Sequence, residues 1–148
     1  MKGYKIGFSE ITKVSLPFLC YALIELEVPE KYPGAKIYSF RSKNRTNVAR
    51  VLRINGLNIN PKTYTEPVEA VSFGQLDSAF SIFDHNFYYH PGEIVYPDCF
   101  DEQTTTCSNG IHFFTYRQEA IDYVMNDCVI DKMRSCIAKR KEPTFELR

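Results

Sequence analysis

Cys107–Tyr123 reads CSNGIHFFTYRQEAIDY, and turn, strand and helix signals follow one another along it without a gap. The Asn109-Gly110 pair tolerates a positive φ at little cost, which predicts a turn. The apolar run Ile111–Phe114 behind this turn predicts a short, well-buried strand. Thr115 and Gln118 stand at the spacing of a capping box, in which the hydroxyl and the amide each satisfy a free N–H at a helix start. The stretch therefore predicts a strand that leads directly into a helix.

The predicted helix covers about ten residues from Tyr116. Its apolar residues recur three and four positions apart, as on one side of a helix, at Ala120, Ile121, Tyr123 and Val124. Strand alternation turns His112 away from its two neighbours, so we interpret it as a histidine hydrogen-bonded at the edge of the core rather than as a catalytic group or a ligand. We assign a structural role to the whole motif, which consists of Cys107, Asn109, Gly110, His112, Thr115, Gln118 and Tyr123.

The rest of the chain is mainly strand-forming. Apolar and polar residues alternate along Leu19–Val28, which predicts a half-buried strand. Shorter strands are predicted at Tyr4–Phe8, Ala35–Phe40, Val48–Ile54, Ala79–Tyr89 and Glu93–Tyr96, with a turn at Asn55-Gly56 and a second helix at Asp131–Ala138. The sum predicts an α+β domain over residues 1–142, mainly antiparallel sheet with one or two C-terminal helices packed on one face. Residues 143–148 are predicted to form a tail that is mobile or docked on a partner.

Length and composition exclude several classes of protein. The 148 residues, 44% hydrophobic, suffice for one compact domain but not for two. The sequence has no apolar run long enough to span a membrane and no secretory signal, so we expect a protein of a cytosol. The five cysteines are odd in number and lack Cys-x-x-Cys spacing, which predicts reduced thiols rather than a disulfide framework or a zinc ribbon.

Three side-chain groupings are candidates for chemistry, and no one of them is complete. A metal held by Cys99, Cys107 and His112 with His85 or His90 uses ligand types that zinc accepts, but the spacing does not support it. Asp84 beside His85 and Cys107 near His112 resemble parts of a base or nucleophile arrangement. Neighbours on a strand point to opposite faces, however, so packing is the preferred interpretation. We assign no catalytic residue, no metal and no cofactor.

Charge is segregated along the chain although the net charge is zero. Residues 31–62 contain eight basic residues and no acid, whereas residues 63–131 contain twelve acids and one base. The basic stretch supplies the candidate binding residues, because guanidinium groups suit phosphate contacts. Arg50 and Arg53 are an odd number of positions apart and so face opposite sides of a strand, which disfavours a single nucleic-acid face. This spacing and the neutral net charge favour pairing of the basic segment with the acidic half of the same chain or of a neighbouring copy. The candidate binding residues are Arg41, Lys43, Arg45, Arg50 and Arg53.

The motif resembles an uncharacterised domain family of large DNA viruses, which also occurs attached to pentapeptide-repeat proteins. The shared pattern includes the Gly-Glu pair of Gly92-Glu93, Pro97-Asp98, Phe100-Asp101 and the Cys-x-x-Gly-Ile-His-Phe-Phe run from Cys107. The resemblance implies a viral origin and no particular activity. We therefore expect a non-enzymatic viral module that contacts other proteins, a second copy of itself among them, as a virion component or host-interaction factor in the host cytoplasm or virion.

The alternative is a small-molecule or nucleotide-binding domain. Gly110–Phe114 followed by a helix with Ala120 and Tyr123 is similar to part of the ADP-ribosyltransferase-like enzymes, which use NAD, and Gly3-Tyr4-Lys5 would then supply their first motif. His112 or Phe113 stands where those enzymes commonly have Tyr, and no catalytic Glu is assignable. A pocket lined by His112, Tyr123 and convergent arginines would favour this alternative.

Overall fold

The computed structural model describes residues 1–12, 18–40, 43–60, 67–100 and 109–140. These residues form ten strands, two α-helices and one 3-10 turn, Tyr123–Met125, between the helices. The strands are β1 Lys2–Ile11, β2 Phe18–Glu27, β3 Ile37–Phe40, β4 Lys43–Thr46, β5 Ala49–Ile59, β6 Ala70–Gln75, β7 Ala79–Phe80, β8 Tyr88–Tyr89, β9 Ile94–Val95 and β10 Ile111–Phe114. The helices are α1 Arg117–Asp122 and α2 Asp127–Arg140.

The strands form one antiparallel sheet in the order β3-β4-β10-β1-β2-β5-β6. Its centre is the β1–β2 hairpin, which is paired without interruption from Lys2 opposite Glu27 to Ile11 opposite Phe18. The short strands β7 and β8 pair with each other, and β9 pairs with the start of β5. Sheet and helices together confirm the predicted α+β class.

Each face of the sheet carries its own core. Both helices cover one face, where they bury the helix-side core: Ile6, Phe8, Leu23, Leu57, Val68, Ile82, Ala120, Ile121, Val124, Val129 and Cys136. The segment from Leu76 to Val95 covers the other face and helps to bury the loop-side core: Ala22, Ile24, Leu26, Val28, Ala49, Val51, Ile54, Ala79, Tyr89, Val95, Ile111 and Phe113. Burial of each large apolar side chain contributes roughly 1.5–3 kcal/mol, so both faces stabilise the domain.

The edge of β1 that faces away from β2 is shared by two strands. Tyr4 pairs with Phe114 of β10, and Phe8 pairs with Phe80 of β7. Between these two points lie Lys5, Ile6 and Gly7, where β10 and β7 diverge. The sheet therefore forks along this edge.

The predicted turn at Asn55-Gly56 is wrong, because β5 continues through it to Ile59. Asn55 pairs with both Leu23 and Gln75, and a register shift next to Gly56 accommodates the glycine within the ladder. The Phe73 ring covers Gly56 so closely that a Cβ there would lie 2.2 Å from Phe73 Cζ. Gly56 thus serves a close approach across the sheet rather than a turn.

The predicted capping box at Thr115 and Gln118 is also wrong. The N-cap of α1 is Tyr116, which makes no side-chain cap hydrogen bond. Thr115 Oγ1 instead accepts a hydrogen bond from Asn44 Nδ2 at 2.9 Å, and Gln118 Nε2 donates to Val68 O at 3.0 Å. Tertiary partners therefore occupy the side chains that the local pattern assigned to the helix start.

The helices lie near their predicted positions. α1 with its 3-10 turn covers Arg117–Met125, and α2 begins at Asp127, four residues earlier than predicted. Val129 and Cys136 of α2 are buried, whereas Ile137 is 36% exposed. Within the described part of the chain, neither helix is both long and apolar enough to cross a membrane.

Other strand predictions need new bounds. The opening strand is ten residues long rather than five, and the basic stretch forms three strands, β3, β4 and β5, where two were predicted. Ala79–Tyr89 is extended only at its two ends, and β6 was not predicted. Arg41, Cys107 and the tail from residue 141 lie outside the described residues.

Candidate functional site

A cavity of about 720 Å³ occupies the fork of the sheet. Its walls come from both faces, since Tyr89 and Phe113 belong to the loop-side core and Ile82 to the helix-side core, with Tyr123 beside it. Small-molecule sites usually have volumes of about 300–1,000 Å³ and mix apolar walls with a few polar groups. This fork cavity fits that description.

Lys5 is the polar group at the centre of the fork. Continuing the β1–β10 register from Tyr4 and Phe114 would set Ile6 against His112, but the pairing ends first. Lys5 Nζ instead donates to the His112 carbonyl at 2.9 Å, so a side chain bridges the gap where the ladder opens. The ammonium also lies 5.9 Å from the centroid of the Tyr89 ring. Lys5 thus lines the cavity with its charged end.

Desolvation dominates the electrostatics of Lys5. Lys5 keeps part of its surface exposed, yet burial of its ammonium lowers the pKa to about 8. Among the described residues no carboxylate forms an ion pair with it, although Asp84 and Asp98 line the same cavity. Lys5 is therefore a largely buried cation without a counter-ion in the described part of the chain.

Tyr89 is a second perturbed group in the cavity wall. Its side chain is buried, and burial raises the pKa of its phenol, with the negative charge of Asp84 adding to the effect. The hydroxyl consequently stays protonated at neutral pH. Tyr89 offers the cavity an aromatic face and a neutral phenol.

His112 lines the fork cavity and is half-buried. Cys107 lies outside the described residues, and the structure places the motif residues around Asn109 and Tyr123 as follows. Asn109 O accepts a hydrogen bond from Arg45 Nη1 at 3.0 Å, and Gly110 has a φ of +150°. The Tyr123 ring packs against Phe114, with 5.4 Å between their centroids. Four motif residues thus line the cavity, namely Asn109, Gly110, His112 and Tyr123.

The structure disperses the candidate binding residues. Arg45 is 2% exposed, and its guanidinium lies 4.8 Å from the ring centroids of both Tyr38 and Phe100. Arg53 Nε forms an ion pair with Glu25 at 2.9 Å across neighbouring strands. Arg50 is exposed, and Lys43 lines the fork cavity. Of these four, only Lys43 reaches the cavity, and Arg45 approaches it through Asn109.

A cysteine–histidine pair was missed by the sequence interpretation. Cys136 Sγ of α2 lies 3.3 Å from His85 Nε2, although 51 positions separate them. Burial raises the pKa of the Cys136 thiol, with Lys139 and Lys132 opposing it. A thiol whose pKa is raised is a poor nucleophile at neutral pH. The pair is therefore a buried thiol contact, and no local spacing signals it.

The proposed metal ligands do not converge among the residues that the structure describes. Cys99 and His112 line the same cavity, but His85 lies beside Cys136. No group of three or more His, Cys, Asp or Glu side chains in the described ranges is arranged to hold a metal ion. Cys20, Cys99, Cys128 and Cys136 are free thiols.

Comparisons with known proteins identify one family. No curated protein and no solved structure matches the chain. A family model described as a family of unknown function (DUF5758) matches residues 1–120. Because this match covers most of the 148 residues, the chain belongs to that family.

Proposed function

We propose that this domain binds a small molecule in the fork cavity. The observation that carries the proposal is the buried Lys5 ammonium, which lines a cavity of ligand size and has no counter-ion among the described residues. A charged group kept in such a place has a free-energy cost that a bound ligand can offset. The proposal thus prefers a small-molecule or nucleotide-binding domain over a module that contacts other proteins through its basic residues.

Dispersal of the basic residues supports this preference. Arg45 and Arg53 have partners within the chain, and Arg50 lies opposite Glu27 across the β2–β5 pair. Basic residues that already have partners within the chain offer less positive charge to another macromolecule. NAD and other nucleotides remain candidate ligands, although no catalytic carboxylate is assigned for an ADP-ribosyltransferase-like reaction.

Ligand-observed and amide NMR with a fragment library test the proposal. Binding fragments should shift amide signals that cluster at Lys5, His112 and Tyr123. Ser81→Phe should abolish these shifts, because Ser81 lines the cavity and a phenyl group there would occupy it. Ser72→Phe is the matched control, since Ser72 is exposed on β6. Shifts scattered over the surface, or shifts that survive Ser81→Phe, would contradict the proposal.

A second candidate function is assembly through protein contacts, and the edge strand β6 favours it. β6 contains no charged residue, Val71 is 69% exposed, and Phe73 and Phe18 are 41% and 42% exposed with ring centroids 6.4 Å apart. Edge strands that remain monomeric usually carry charges, prolines or bulges, and β6 has a register shift at Phe73 but neither a charge nor a proline. We propose a second copy of this chain as the partner, because two uncharged β6 strands pair antiparallel without charge repulsion.

Light scattering at increasing protein concentration tests this assembly. The chain should form dimers, and Val71→Lys should return it to monomers, whereas Ile94→Lys, at an exposed site on another strand, should not. Monomers of the unmodified chain at all concentrations would exclude the β6 contact. The resemblance to a viral family extends the candidate to a virion component or host-interaction factor, which mass spectrometry of purified particles and of infected host cytoplasm would test.

A further inference from the structure

The fork cavity presents one buried positive charge. Lys5 Nζ has three N–H donors, and its contacts are the His112 carbonyl at 2.9 Å and the Tyr89 ring face at 5.9 Å. Neither partner neutralises the ammonium. A ligand that completes this site must therefore supply a negative charge near Lys5 Nζ.

Several aromatic rings line the walls around Lys5. Phe83, Phe87, Phe113 and Phe114 line the cavity together with the rings of Tyr89 and Tyr123. Ring faces favour a flat apolar body over a strongly hydrated one. The larger part of the ligand should thus be apolar or aromatic.

The charge around the cavity limits the ligand to one negative group. Asp84 and Asp98 line the same cavity and repel a polyanion, and Lys43 is the remaining lining cation among the described residues. Phosphate groups are usually held by arginine forks, helix N-termini or glycine-rich nests. The positive charge of one ammonium is enough to balance the negative charge of a single carboxylate.

We infer that the ligand is a small monocarboxylic acid with a flat apolar or aromatic body, whose carboxylate forms an ion pair with Lys5 Nζ inside the fork cavity. This inference rests on the proposed function, since it names the class of molecule that the cavity holds. Lys5 is a binding residue in it, and no covalent step is involved.

A matched chemical series tests the inference without altering the protein. The probes are 3-phenylpropionate, its amide and the corresponding alcohol, and the measurement is amide NMR titration with calorimetry. The acid should bind at least about tenfold more tightly than the neutral analogues, because a desolvated ion pair is lost in them. Lys5→Met should remove this preference, whereas Lys2→Met, an identical change at an exposed site of the same strand, should keep it. The series decides the matter even if Lys5→Met fails to fold.

The pH dependence of binding provides an independent readout. Because Lys5 carries a pKa of about 8 in the free protein, affinity for the acid should be constant near neutrality and fall about tenfold per pH unit above that value. The titratable groups from β4 and from the 84–99 segment that share the cavity are Lys43, Asp84, Tyr89, Asp98 and Cys99. His112 of β10 and Tyr123 after α1 complete the set within the described part of the chain. The titration is repeated on Cys99→Ser as a control for this lining thiol.

The possible outcomes distinguish a wrong ligand class from the absence of any binding site. Equal binding of acid, amide and alcohol at the cavity would overturn the inference and leave the proposed function standing. Tighter binding of NAD or ADP than of the acid would also overturn the inference and leave the proposed function standing, with a nucleotide as the ligand. Affinity that rises with pH, together with a carbonyl probe that becomes permanently attached to Lys5 when borohydride reduces their imine to an amine, would overturn the inference in favour of imine formation. Absence of cavity shifts with every probe at millimolar concentration would overturn both proposals.

Discussion

The two edges of β1 differ in how completely they are paired. The edge toward β2 carries an unbroken register of ten residue pairs, from Lys2 to Ile11. The opposite edge is paired at Tyr4 with β10 and at Phe8 with β7, and the fork cavity lies between. The continuous edge supports the two cores, whereas the forked edge holds a buried cation. In this domain, an interruption of backbone pairing creates the space for a candidate site.

The largest effect is expected at the continuous edge. Ile24 of β2 is fully buried opposite Lys5 in the register, so Ile24→Ala should lower the free energy of unfolding by about 3 kcal/mol through lost burial and a residual cavity. Urea denaturation measures this loss. Ile94→Ala, at a side chain that is 42% exposed, should cost less than about 1 kcal/mol. Similar losses in both variants would mean that the hairpin is not the stabilising part of the sheet.

Gly7 tests the forked edge itself. A Cβ at Gly7 would lie 2.8 Å from Phe80 O of β7 and 2.9 Å from Ile24 Cδ1, and a backbone oxygen cannot move aside alone. Gly7→Ala should therefore cost about 2 kcal/mol and shift the NMR signals of β7 and of the cavity wall. Ser72→Ala, on exposed β6, is the control and should be nearly neutral. Unchanged stability of Gly7→Ala would show that β7 does not approach β1 so closely.

The pH dependence of stability tests whether the Lys5 ammonium is buried at the forked edge. Its pKa is about 8 in the folded chain and 10.5 ordinarily, so the unfolded chain binds more protons between these values. The stability contributed by Lys5 should consequently rise with pH across this window, by at most about 1.4 kcal/mol per pH unit. The quantity to measure is the unfolding free energy of the unmodified chain minus that of Lys5→Met at several pH values.

Subtracting the two unfolding free energies cancels the contributions of other titrating groups, whose effect on stability has the opposite sign to that of Lys5. Burial raises the pKa of Cys20 to about 11 and that of Tyr21 and Tyr89 as well, so these groups lower stability in alkaline solution in both proteins. Lys2→Met, at an exposed position of β1, should give a flat difference curve. A flat curve for Lys5→Met too would show that its ammonium is solvated.

The smallest effect is expected from the exposed ion pair across β2 and β5. Arg53 Nε lies 2.9 Å from Glu25 Oε2, but the Arg53 side chain is 53% exposed. Solvent screens such a pair, so Arg53→Ala should change stability by about 0.5 kcal/mol or less, and the difference should shrink in high salt. A loss as large as that of Gly7→Ala would place this pair among the main supports of the continuous edge.

Local sequence patterns predicted the strands and helices in which buried side chains recur at a regular spacing. Alternation from Leu19 to Val28 predicted β2, because its even-numbered side chains point into the loop-side core. The same reasoning missed the burial of Leu23 on the opposite face, since helices cover that side as well. The motif from Asn109 predicted β10 and α1 in the correct order.

Where local rules failed, a distant partner had taken over the residue concerned. Asn55-Gly56 has the composition of a turn, but Phe73 packs on the glycine and the ladder continues. Thr115 and Gln118 have the spacing of a capping box, but Asn44 and Val68 bind them. Arg45 has the character of a surface charge, but two aromatic rings enclose it. In each case a tertiary contact outweighs a local preference of about 1 kcal/mol.

By itself the sequence determined the class of the fold, the main strands, the helices and the turn–strand–helix motif, because backbone preference and the period of burial are local properties. Only the tertiary structure decided that β1 is forked, that Lys5 meets the carbonyl of His112, 107 positions away, and that Cys136 meets His85. Such meetings depend on how strands pair across long separations, and no local periodicity records that pairing. The candidate site belongs to this second kind of information.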